Sequence, residues 1–288
     1  MTTAYPLEFS IGPLRITGFG VMMMLAFLAG GWLIDRECRE EGFSSDYAGD
    51  IIFGAIVGGI IGAKLWFVVL HHSISALWDR GGLVWYGGFL GGAIGVVVNG
   101  WRRRVPMQWT AQLVAPALAA AYAVGRIGCF SVGDDYGIPT TLPWAVRFPQ
   151  GMPATTAANL RAFNVSIPAT VAPDTVFAVH PTQLYEIGMM LIVFALLWRW
   201  RTLARGTGWL FGAYLVLAGA ERFLIEFLRA KDDRILPLDL TVAQAAAVAA
   251  VIAGVLVIRR LSPAPAVDPG EWLRHGAPHT AKASAGDS

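Results

Sequence analysis

The sequence has little charge, little cysteine and little histidine, and each shortage excludes a class of protein. Only 15% of the 288 residues are Asp, Glu, Lys or Arg, whereas a soluble domain of this length usually carries about a quarter. The formal net charge of +2 is too small to indicate a protein that binds nucleic acid. The two cysteines and five histidines show no metal-ligand spacing. We therefore expect no metal site and no cofactor.

Hydrophobic residues are correspondingly abundant. They make up 55% of the chain, and its mean hydropathy is +0.54. Glycine and tryptophan are also frequent, at 33 and 11 residues, as expected where helices pack closely in lipid and aromatic rings lie at the membrane interfaces. The composition predicts an all-α, polytopic integral membrane protein.

The apolar runs indicate about seven transmembrane helices. Each run is close to the ~20 residues that an α-helix needs to cross a bilayer. Basic clusters follow the first, third, fifth and seventh runs, with the sequences DRECREEG, WRRRVP, RWRTLAR and IRRLSP. Because positive charge is retained on the cytoplasmic side, the N-terminus is predicted outside and the C-terminus inside. The runs cover residues 16–34, 48–70, 83–100, 109–130, 181–200, 207–228 and 239–258.

This topology divides the chain into five parts. Residues 1–15 form a short extracytoplasmic arm, and residues 16–130 contain transmembrane helices 1 to 4. Residues 131–180 are one sizeable extracytoplasmic head segment, and residues 181–260 contain transmembrane helices 5 to 7. Residues 261–288 are rich in Pro, Ala and Gly with little apolar content, which predicts a disordered cytoplasmic tail.

Two of the predicted helices carry glycine at every fourth position. This spacing places the glycines on one helical face and allows two helix backbones to approach closely. We interpret it as a packing surface and not as a ligand site. The glycines are Gly54, Gly58 and Gly62 in the second run and Gly87, Gly91 and Gly95 in the third.

Two arginines lie near the ends of apolar runs, on the side that the topology places outside. Arg126 lies in the fourth run and Arg222 in the sixth. Charged residues inside membranes are costly and often functional, and two guanidinium groups can together hold the oxygens of one phosphate. The alternative is structural, because Glu226 lies one turn after Arg222 and is an obvious ion-pair partner. Position alone leaves both interpretations open.

A tight polar turn follows the fourth apolar run, within the stretch GRIGCFSVGDDYGIPTTLPWAVRFP (residues 125–149). Its glycines permit unusual backbone angles, and we expect the loop to fold back over the helix end and to bring two adjacent aspartates close to the membrane surface. An exposed acidic turn is the alternative. The residues concerned are Gly128, Gly133, Asp134, Asp135 and Gly137.

This stretch resembles the signature of the prolipoprotein diacylglyceryl transferase family, whose members are bacterial inner-membrane enzymes. The family pattern runs Gly-Arg-x-Gly-Asn-Phe, then Asn-Gly-Glu, a Gly three residues on, and a Thr/Leu-Pro-Trp-x-Val-x-Phe-Pro ending. Three further pieces fall in family order, so that the resemblance covers residues from about 16 to 258. They are GGLVWYGGFLGG (81–92), HPTQLYE (180–186) and ERFLIEFLR (221–229).

The resemblance implies a reaction at the outer leaflet of the bacterial inner membrane. Members of the family move the diacylglyceryl group of phosphatidylglycerol onto the lipobox cysteine of an exported prolipoprotein, so that a thioether forms and glycerol phosphate leaves. The implied partners are phosphatidylglycerol, prolipoprotein lipobox peptides and membrane lipid. Arg126 and Arg222 match the two arginines on which the family relies, and this match favours the phosphate-binding interpretation of both.

The resemblance also indicates the other candidate site residues. Tyr86 and His180 join the two arginines as catalytic candidates. His180 is the only histidine predicted at the right depth to take a proton near neutral pH, but capping or hydrogen bonding at the start of the fifth helix is the alternative for His180, Gln183, Tyr185 and Glu186. The substrate-binding candidates are Arg126, Arg222, Gly128, Cys129, Gly133, Asp134, Gly137, Tyr185 and Glu226.

Six positions depart from the family pattern. The histidine of the third-helix motif, a candidate base for the thiol, is Tyr86 here, and a phenol is a poor base for a thiol in water. Either the cationic site itself activates the thiol or Tyr86 only binds. The other departures are Phe19 for tyrosine, Gln112 for aspartate, Cys129 and Val132 each for asparagine, and Asp134 for glutamate.

Two other functions are compatible with the sequence. A lipid transporter would also use arginines at the outer leaflet, but transporters often show inverted repeats, and the two halves of this chain show no such match. A diverged or non-catalytic relative could use the same pocket for another lipid or acceptor. Incubation with phosphatidylglycerol and a lipobox peptide would distinguish both from the transferase.

Overall fold

A computed structural model describes most of the chain, and the described part is mostly helical. The described residues are 2–12, 14–78, 84–203, 205–231, 234–236, 240–262 and 265–275. Within them, the α-helices are α1 (Gly18–Glu40), α2 (Asp46–His71), α3 (Trp85–Arg102), α4 (Met107–Val132), α5 (Ala157–Ala162), α6 (Thr182–Trp200), α7 (Trp209–Ile225), α8 (Val242–Leu261) and α9 (Glu271–His275). All except α5 and α9 have between 17 and 26 residues.

Five of these helices are long and apolar enough to cross a membrane. They have 19 to 26 residues, and their mean hydropathies lie between 1.2 and 2.1. They are α1, α2, α4, α6 and α8. The prediction of a polytopic helical membrane protein is thereby confirmed. Seven spans and the predicted orientation stay predictions.

Short β-strands, which the all-α prediction lacks, connect the helical segments. They are β1 (Thr2–Thr3), β2 (Glu8–Ile11), β3 (Leu14–Thr17), β4 (Val146–Arg147), β5 (Ala178–Val179), β6 (Arg234–Leu236) and β7 (Leu240–Thr241). β4 pairs in parallel with β1 and antiparallel with β5, while β2 with β3 and β6 with β7 form antiparallel pairs. Strands of two to four residues are too short to produce the alternating pattern by which a sequence reveals a strand.

The chain forms two compact units. Of the described residues, those within 1–30 and 114–266 form the large unit, and those within 31–113 and 267–288 form the small unit. The five-part division predicted from topology concerns the sides of a membrane and stays a prediction.

In the small unit, α2 and α3 pack antiparallel through their glycine faces. A Cβ atom on Gly58 would collide with the carbonyl group of Gly91, and one on Gly95 would collide with that of Gly54. The two backbones therefore touch where no side chain intervenes, which is the arrangement that small residues permit in membrane helices. The predicted packing surface is confirmed, and its remaining pair is Gly62 with Gly87.

The segment predicted as a disordered tail contains α9. Leu273 of this helix is fully buried, and its carbonyl oxygen accepts a hydrogen bond from the amide of Ser44 at 2.8 Å. The indole of Trp109 donates to the carbonyl oxygen of Val267 at 2.8 Å. In contrast to the predicted disorder, this part of the tail packs on the small unit, and residues 276–288 lie outside the described residues.

The core of the large unit lies between α4, α6 and α7. Alanines spaced four residues apart on α4 allow the other two helices to approach. Among the described residues the buried side chains of this core are Ala115, Ala119, Ala123, Met190, Val193, Leu197, Leu210 and Ala213. α8 packs closely on α7, since a Cβ atom on Gly212 would lie 3.0 Å from the carbonyl oxygen of Gly254.

The segment between α4 and α6 is folded around a second core. Phe148 is 1% exposed and meets the ring of Phe130 edge to face, with the ring centroids 5.6 Å apart. Thr156 caps α5 by accepting a hydrogen bond from the amide of Asn159. The buried members of this core are Tyr136, Val146, Phe148, Leu160, Val179 and Ala230. They anchor the loop that follows α4.

Candidate active site

Three helix ends of the large unit bring most of the predicted site residues together. The last two turns of α4 carry Arg126 and Cys129, and the second turn of α6 carries Glu186. The end of α7 carries Arg222, and the 3₁₀ turn that follows it begins with Glu226. The site therefore depends on the packing of α4, α6 and α7, described above.

Arg126 is buried and surrounded by acceptors. Its side chain is 8% exposed, and it forms ion pairs with Glu186 and, from Nη1 to Oδ2 at 2.8 Å, with Asp135. Glu186 is itself fully buried, and its Oε1 accepts a hydrogen bond from the hydroxyl of Tyr122 at 3.2 Å. A buried guanidinium group is tolerated only when counter-charges and hydrogen bonds satisfy it. Glu186 and Asp135 supply both the counter-charges and the hydrogen bonds for Arg126.

Asp135 joins Arg126 to a second arginine. Its Oδ2 accepts from Arg126, and its Oδ1 pairs with Arg229. The residue has a φ of 55°, in the left-handed region that few residues other than glycine adopt, and its carbonyl oxygen accepts from the hydroxyl of Thr182 at 2.7 Å. Partial desolvation would raise the pKa of Asp135, but the guanidinium groups of Arg229 and Arg126 hold it below its usual value. Asp135 is therefore ionised at neutral pH.

Arg222 joins the same cluster through Glu226. Its Nη1 lies 2.5 Å from Glu226 Oε2, and the other carboxylate oxygen of Glu226 accepts from the hydroxyl of Thr241 at 3.0 Å. Arg229 Nε lies 3.8 Å from Glu226 Oε2. The structural pair that the sequence suggested for Arg222 and Glu226 is thus present.

These contacts form one chain of alternating charges, which we call the ion-pair chain. In order, its members are Glu186, Arg126, Asp135, Arg229, Glu226 and Arg222. Arg126 and Arg222 also both act electrostatically on Tyr122 and on Glu221. The structure therefore places the two predicted arginines in one cluster, where each charge helps to hold its neighbours in position.

Glu221 is a further carboxylate beside the ion-pair chain. It is 6% exposed, and within the described residues its Oε1 has no hydrogen-bond partner. The charges that act on it include those of Glu186, Arg222 and Arg126. A buried acceptor without a donor is costly, so its presence beside three charged groups marks this position as part of the site.

The glycines of the turn are required because neighbouring atoms leave no room for a side chain at these positions. Gly133 has a φ of 69°, and a Cβ atom there would lie 2.7 Å from the ring of Phe148. A Cβ atom on Gly137 would lie 2.7 Å from that of His180. Gly128 faces α1, so its role in the structure is helix packing. These candidates shape the site, and their contact with substrate stays a prediction.

Cys129 and Asp134 lie beside Asp135. Burial, together with the neighbouring Asp135 charge, raises the pKa of Asp134 to about 6. Its carbonyl oxygen accepts from the side-chain amide of Gln183 at 2.5 Å.

Ligand atoms of Cys129, Asp134 and Asp135 lie within 4.8 Å of one another. Arg126 pairs with Asp135 and lies 3.4 Å from the Cys129 sulfur, so a guanidinium group already neutralises these donors and we assign no metal.

His180 and Tyr185 contact each other at the start of α6. His180 Nδ1 lies 3.3 Å from the Tyr185 hydroxyl oxygen, which also accepts from the indole of Trp144 at 2.7 Å. The main chain of His180 pairs with that of Ile138, and burial lowers the pKa of the imidazole. These contacts support the hydrogen-bonding interpretation of both residues. A direct role in the reaction stays a prediction.

Tyr86 belongs to the small unit, in the first turn of α3, and is 56% exposed. Residues 81–83 of its motif lie outside the described residues. Its place in the site stays a prediction.

Four residues of the cluster are missing from the catalytic and substrate-binding candidates predicted from the sequence, although two of them, Asp135 and Glu186, were noted in the polar turn and at the start of the fifth helix. The sequence ERFLIEFLR contained a signal for Arg229, because Arg222, Glu226 and Arg229 are spaced i, i+4 and i+7 and would share one face of a helix. Asp135 lies 94 residues from its partner Arg229, and nothing local in the sequence indicates such a pair. The missing residues are Asp135, Glu186, Glu221 and Arg229.

Comparison with known proteins connects this geometry to a family. The sequence profile described as "Prolipoprotein diacylglyceryl transferase" matches residues 6–260. Similar proteins named phosphatidylglycerol–prolipoprotein diacylglyceryl transferase include those of Clostridium tetani, 33% identical with 78% of this chain and 85% of the relative covered, and Nitratidesulfovibrio vulgaris, 30% identical with 79% and 82% covered. The corresponding protein of Bordetella parapertussis is 29% identical, with 86% and 92% covered. The chain belongs to the prolipoprotein diacylglyceryl transferase family.

Proposed function

We propose that this chain transfers the diacylglyceryl group of phosphatidylglycerol to the lipobox cysteine of prolipoproteins, forming a thioether and releasing glycerol phosphate. Its relatives are named for a transfer between phosphatidylglycerol and prolipoprotein. The observation that carries the proposal is the ion-pair chain, in which Arg126 and Arg222 lie at the ends of α4 and α7. A reaction that expels a phosphate ester needs such cations.

The proposed chemistry is displacement at carbon by sulfur. The C–S bond forms while the C–O bond to phosphate breaks, and the electron pair of the C–O bond leaves with the phosphate. Cationic donors that are already in place stabilise this developing charge, and a single such donor typically contributes about 3–4 kcal/mol. The thiol proton must also leave. The arginines lower the pKa of a nearby thiol, so that its proton leaves to water, and the hydroxyl of Tyr86 binds substrate without taking the proton.

The remaining site residues have supporting roles in this proposal. Glu226 holds Arg222, while Gly133 and Gly137 give the loop its path over the end of α4. His180 is the remaining catalytic candidate. The residues proposed to contact substrate are Arg126, Arg222, Gly128, Cys129, Gly133, Asp134, Gly137, Tyr185 and Glu226.

We further propose that seven helices cross the bacterial inner membrane with the N-terminus outside and the C-terminus inside. The seven long helices of the described residues coincide with the seven apolar runs, and the basic clusters alternate between their connections as the positive-inside rule requires. This orientation places the ion-pair chain at the outer leaflet, where residues 131–180 form the extracytoplasmic head segment. An exported lipobox peptide would meet the lipid there.

The experiment is a transfer assay with the purified protein, phosphatidylglycerol and a synthetic lipobox peptide. A mass increase of one diacylglyceryl group on the peptide cysteine is expected, and none on a peptide with serine in its place. Arg126→Ala and Arg222→Ala should each abolish transfer while membrane insertion stays intact. Arg274→Ala, which removes an exposed arginine of the small unit, is the matched control and should retain activity.

Two results would contradict the proposal. Lipid movement between leaflets without peptide modification would favour a transporter, and near-normal transfer by either arginine variant would remove its role at the phosphate. Complementation of a transferase-depleted bacterium tests the function in the cell, since a diverged relative that serves another lipid or acceptor would not restore growth.

A further inference from the structure

Asp135 is the carboxylate of the ion-pair chain that an incoming anion can replace. Its side chain is 41% exposed, whereas those of Glu186 and Glu226 are 0% and 3% exposed. The two buried carboxylates each accept a further hydrogen bond, from the hydroxyls of Tyr122 and Thr241. They are therefore fixed counter-charges, while the carboxylate between the two central arginines is accessible.

Two guanidinium groups with little exposure hold the Asp135 carboxylate, one at each oxygen. The side chains of Arg126 and Arg229 are 8% and 13% exposed. A phosphodiester presents the same pattern to such a pair, with two non-bridging oxygens that share one negative charge. A phosphodiester in place of the carboxylate therefore presents the same single negative charge to the two guanidinium groups.

The main chain at Asp135 is held in place independently of its side chain. The carbonyl oxygen of Asp135 accepts from the Thr182 hydroxyl, and the neighbouring Tyr136 and Gly137 pair with Ala230 and His180 through main-chain hydrogen bonds. The described side-chain hydrogen bonds of Asp135 are those to the two arginines. Rotation of one side chain between rotamers is thus sufficient to free both guanidinium groups.

We propose that Arg229 binds the lipid phosphate together with Arg126, and that Asp135 occupies their shared position until a phosphodiester displaces it. Arg222 remains beside them, paired with Glu226. The identity of the lipid rests on the proposed function, whereas the binding of a phosphodiester anion does not. Because Asp135 competes for the same two arginines, it weakens lipid binding and favours release of the glycerol phosphate product.

The first test measures binding of glycerophosphoglycerol, the deacylated head group, to the full-length protein by calorimetry in a neutral detergent. Asp135→Asn should bind this probe about tenfold more tightly than the unchanged protein, because the competing charge is gone. Arg229→Gln should bind it at least tenfold more weakly, and in that background Asp135→Asn should give a smaller gain. Equal or weaker binding by Asp135→Asn overturns the proposal.

Two further variants separate loss of charge from loss of structure. Asp135→Glu keeps the competing carboxylate and should keep the affinity of the unchanged protein. Asp50→Asn breaks the Asp50–Arg103 ion pair of the small unit, whose Nε–Oδ2 distance is 2.8 Å, and should leave binding of the probe unchanged. If Asp135→Asn does not fold, the affinity of Arg229→Lys for the probe is measured instead. This variant should bind the probe more weakly, since a lysine lacks the forked guanidinium group that holds two oxygens. Unchanged affinity of Arg229→Lys overturns the proposal.

The last arm identifies the source of the anion and separates this inference from the proposed function. Inorganic phosphate is titrated in parallel, and tighter binding of it than of glycerophosphoglycerol would assign the two arginines to free phosphate and overturn the lipid assignment. The binding assays contain no peptide. A protein that binds the head group as expected but transfers nothing to a lipobox peptide contradicts the proposed function alone, whereas transfer without tighter binding by Asp135→Asn contradicts this inference alone.

Discussion

Arg126 and Glu186 form an ion pair that is almost completely withdrawn from solvent, with side chains 8% and 0% exposed. The two residues lie on different helices, α4 and α6, and are 60 positions apart in the sequence. Ion pairs of this kind are weak contributors to stability as pairs, but the loss of one partner leaves an uncompensated buried charge. This asymmetry makes the pair a sensitive point in the fold.

Glu186→Gln should therefore destabilise the protein strongly. The variant leaves the buried guanidinium group of Arg126 with Asp135 as its remaining ion-pair partner, and removal of one buried partner typically costs about 3–5 kcal/mol. Thermal unfolding in detergent measures the effect. The control is Glu8→Gln, which breaks an ion pair with Arg15 whose side chains are 31% and 66% exposed, and exposed pairs contribute about 1 kcal/mol or less. Shifts of similar size in the two variants would contradict the reasoning.

Gly137→Ala should destabilise the loop that presents Asp135. The added methyl group would lie 2.5 Å from the carbonyl oxygen of Leu228 and 2.7 Å from the Cβ of His180, and overpacking of this kind typically costs about 1–3 kcal/mol. Transfer activity should fall with it, because the loop carries one member of the ion-pair chain. Melting temperature and the transfer assay measure both effects.

The matched control for Gly137 is Gly188→Ala. Gly188 lies inside α6, and a Cβ atom there has no neighbour within 4 Å among the described residues. Alanine is favoured over glycine in a helix interior by about 1 kcal/mol, so this variant should be as stable as the unchanged protein or more so. If both alanines lower the melting temperature equally, crowding at Gly137 is not the cause.

The raised pKa of Asp134 predicts a pH dependence of stability. Burial and the Asp135 charge bring this pKa to about 6 in the folded protein, whereas an unfolded aspartate titrates near ~3.9. Between these values the folded state binds the extra proton, so the contribution of Asp134 to stability is lost as the pH rises towards 6 and is unchanged above it. Asp134→Asn should lack this loss.

Melting curves of the unchanged protein and of Asp134→Asn at pH 4.5 and pH 6.5 test the sign. The variant should gain stability relative to the unchanged protein at the higher pH. Asp135 has a lowered pKa, so its own contribution is complete above an unfolded pKa of about 4 and is lost only below it. A constant difference between the two proteins across this range would show that Asp134 does not carry the raised pKa.

Features with a long repeat or a long apolar run could be predicted from the sequence. The glycines of α2 and α3 recur every four residues, and Gly58 meets Gly91 as that spacing predicts. Each long apolar run likewise predicted one of the long helices. The two-residue strands β1, β4 and β5 could not be predicted, because such short strands carry no periodicity and because β1 pairs with β4 across more than a hundred positions, from Thr2 to Val146.

In the site, the arginines were predictable and most of their partners were not. Arg126 is conspicuous because a charge within an apolar run is costly. Its partners Asp135 and Glu186 lie in segments where a carboxylate is ordinary, a turn and the start of a helix. Only Glu226 has a local signal, four residues after Arg222. The arginines of the site can therefore be predicted from the sequence, whereas the carboxylates that pair with them are determined by the tertiary packing.

The atypical Tyr86 provides the last prediction. The family resemblance places a histidine at this position, whereas a phenol is a poor base for a thiol and is proposed to bind substrate through its hydroxyl. If its hydroxyl takes part, Tyr86→Phe should lower transfer about fivefold, since one hydrogen bond is typically worth about 1 kcal/mol. Tyr86→His, which restores the family residue, should retain or increase transfer, and both variants keep a ring of similar shape. A rate for Tyr86→Phe equal to that of the unchanged protein would limit the phenol to packing and leave the arginines as the means of activating the thiol.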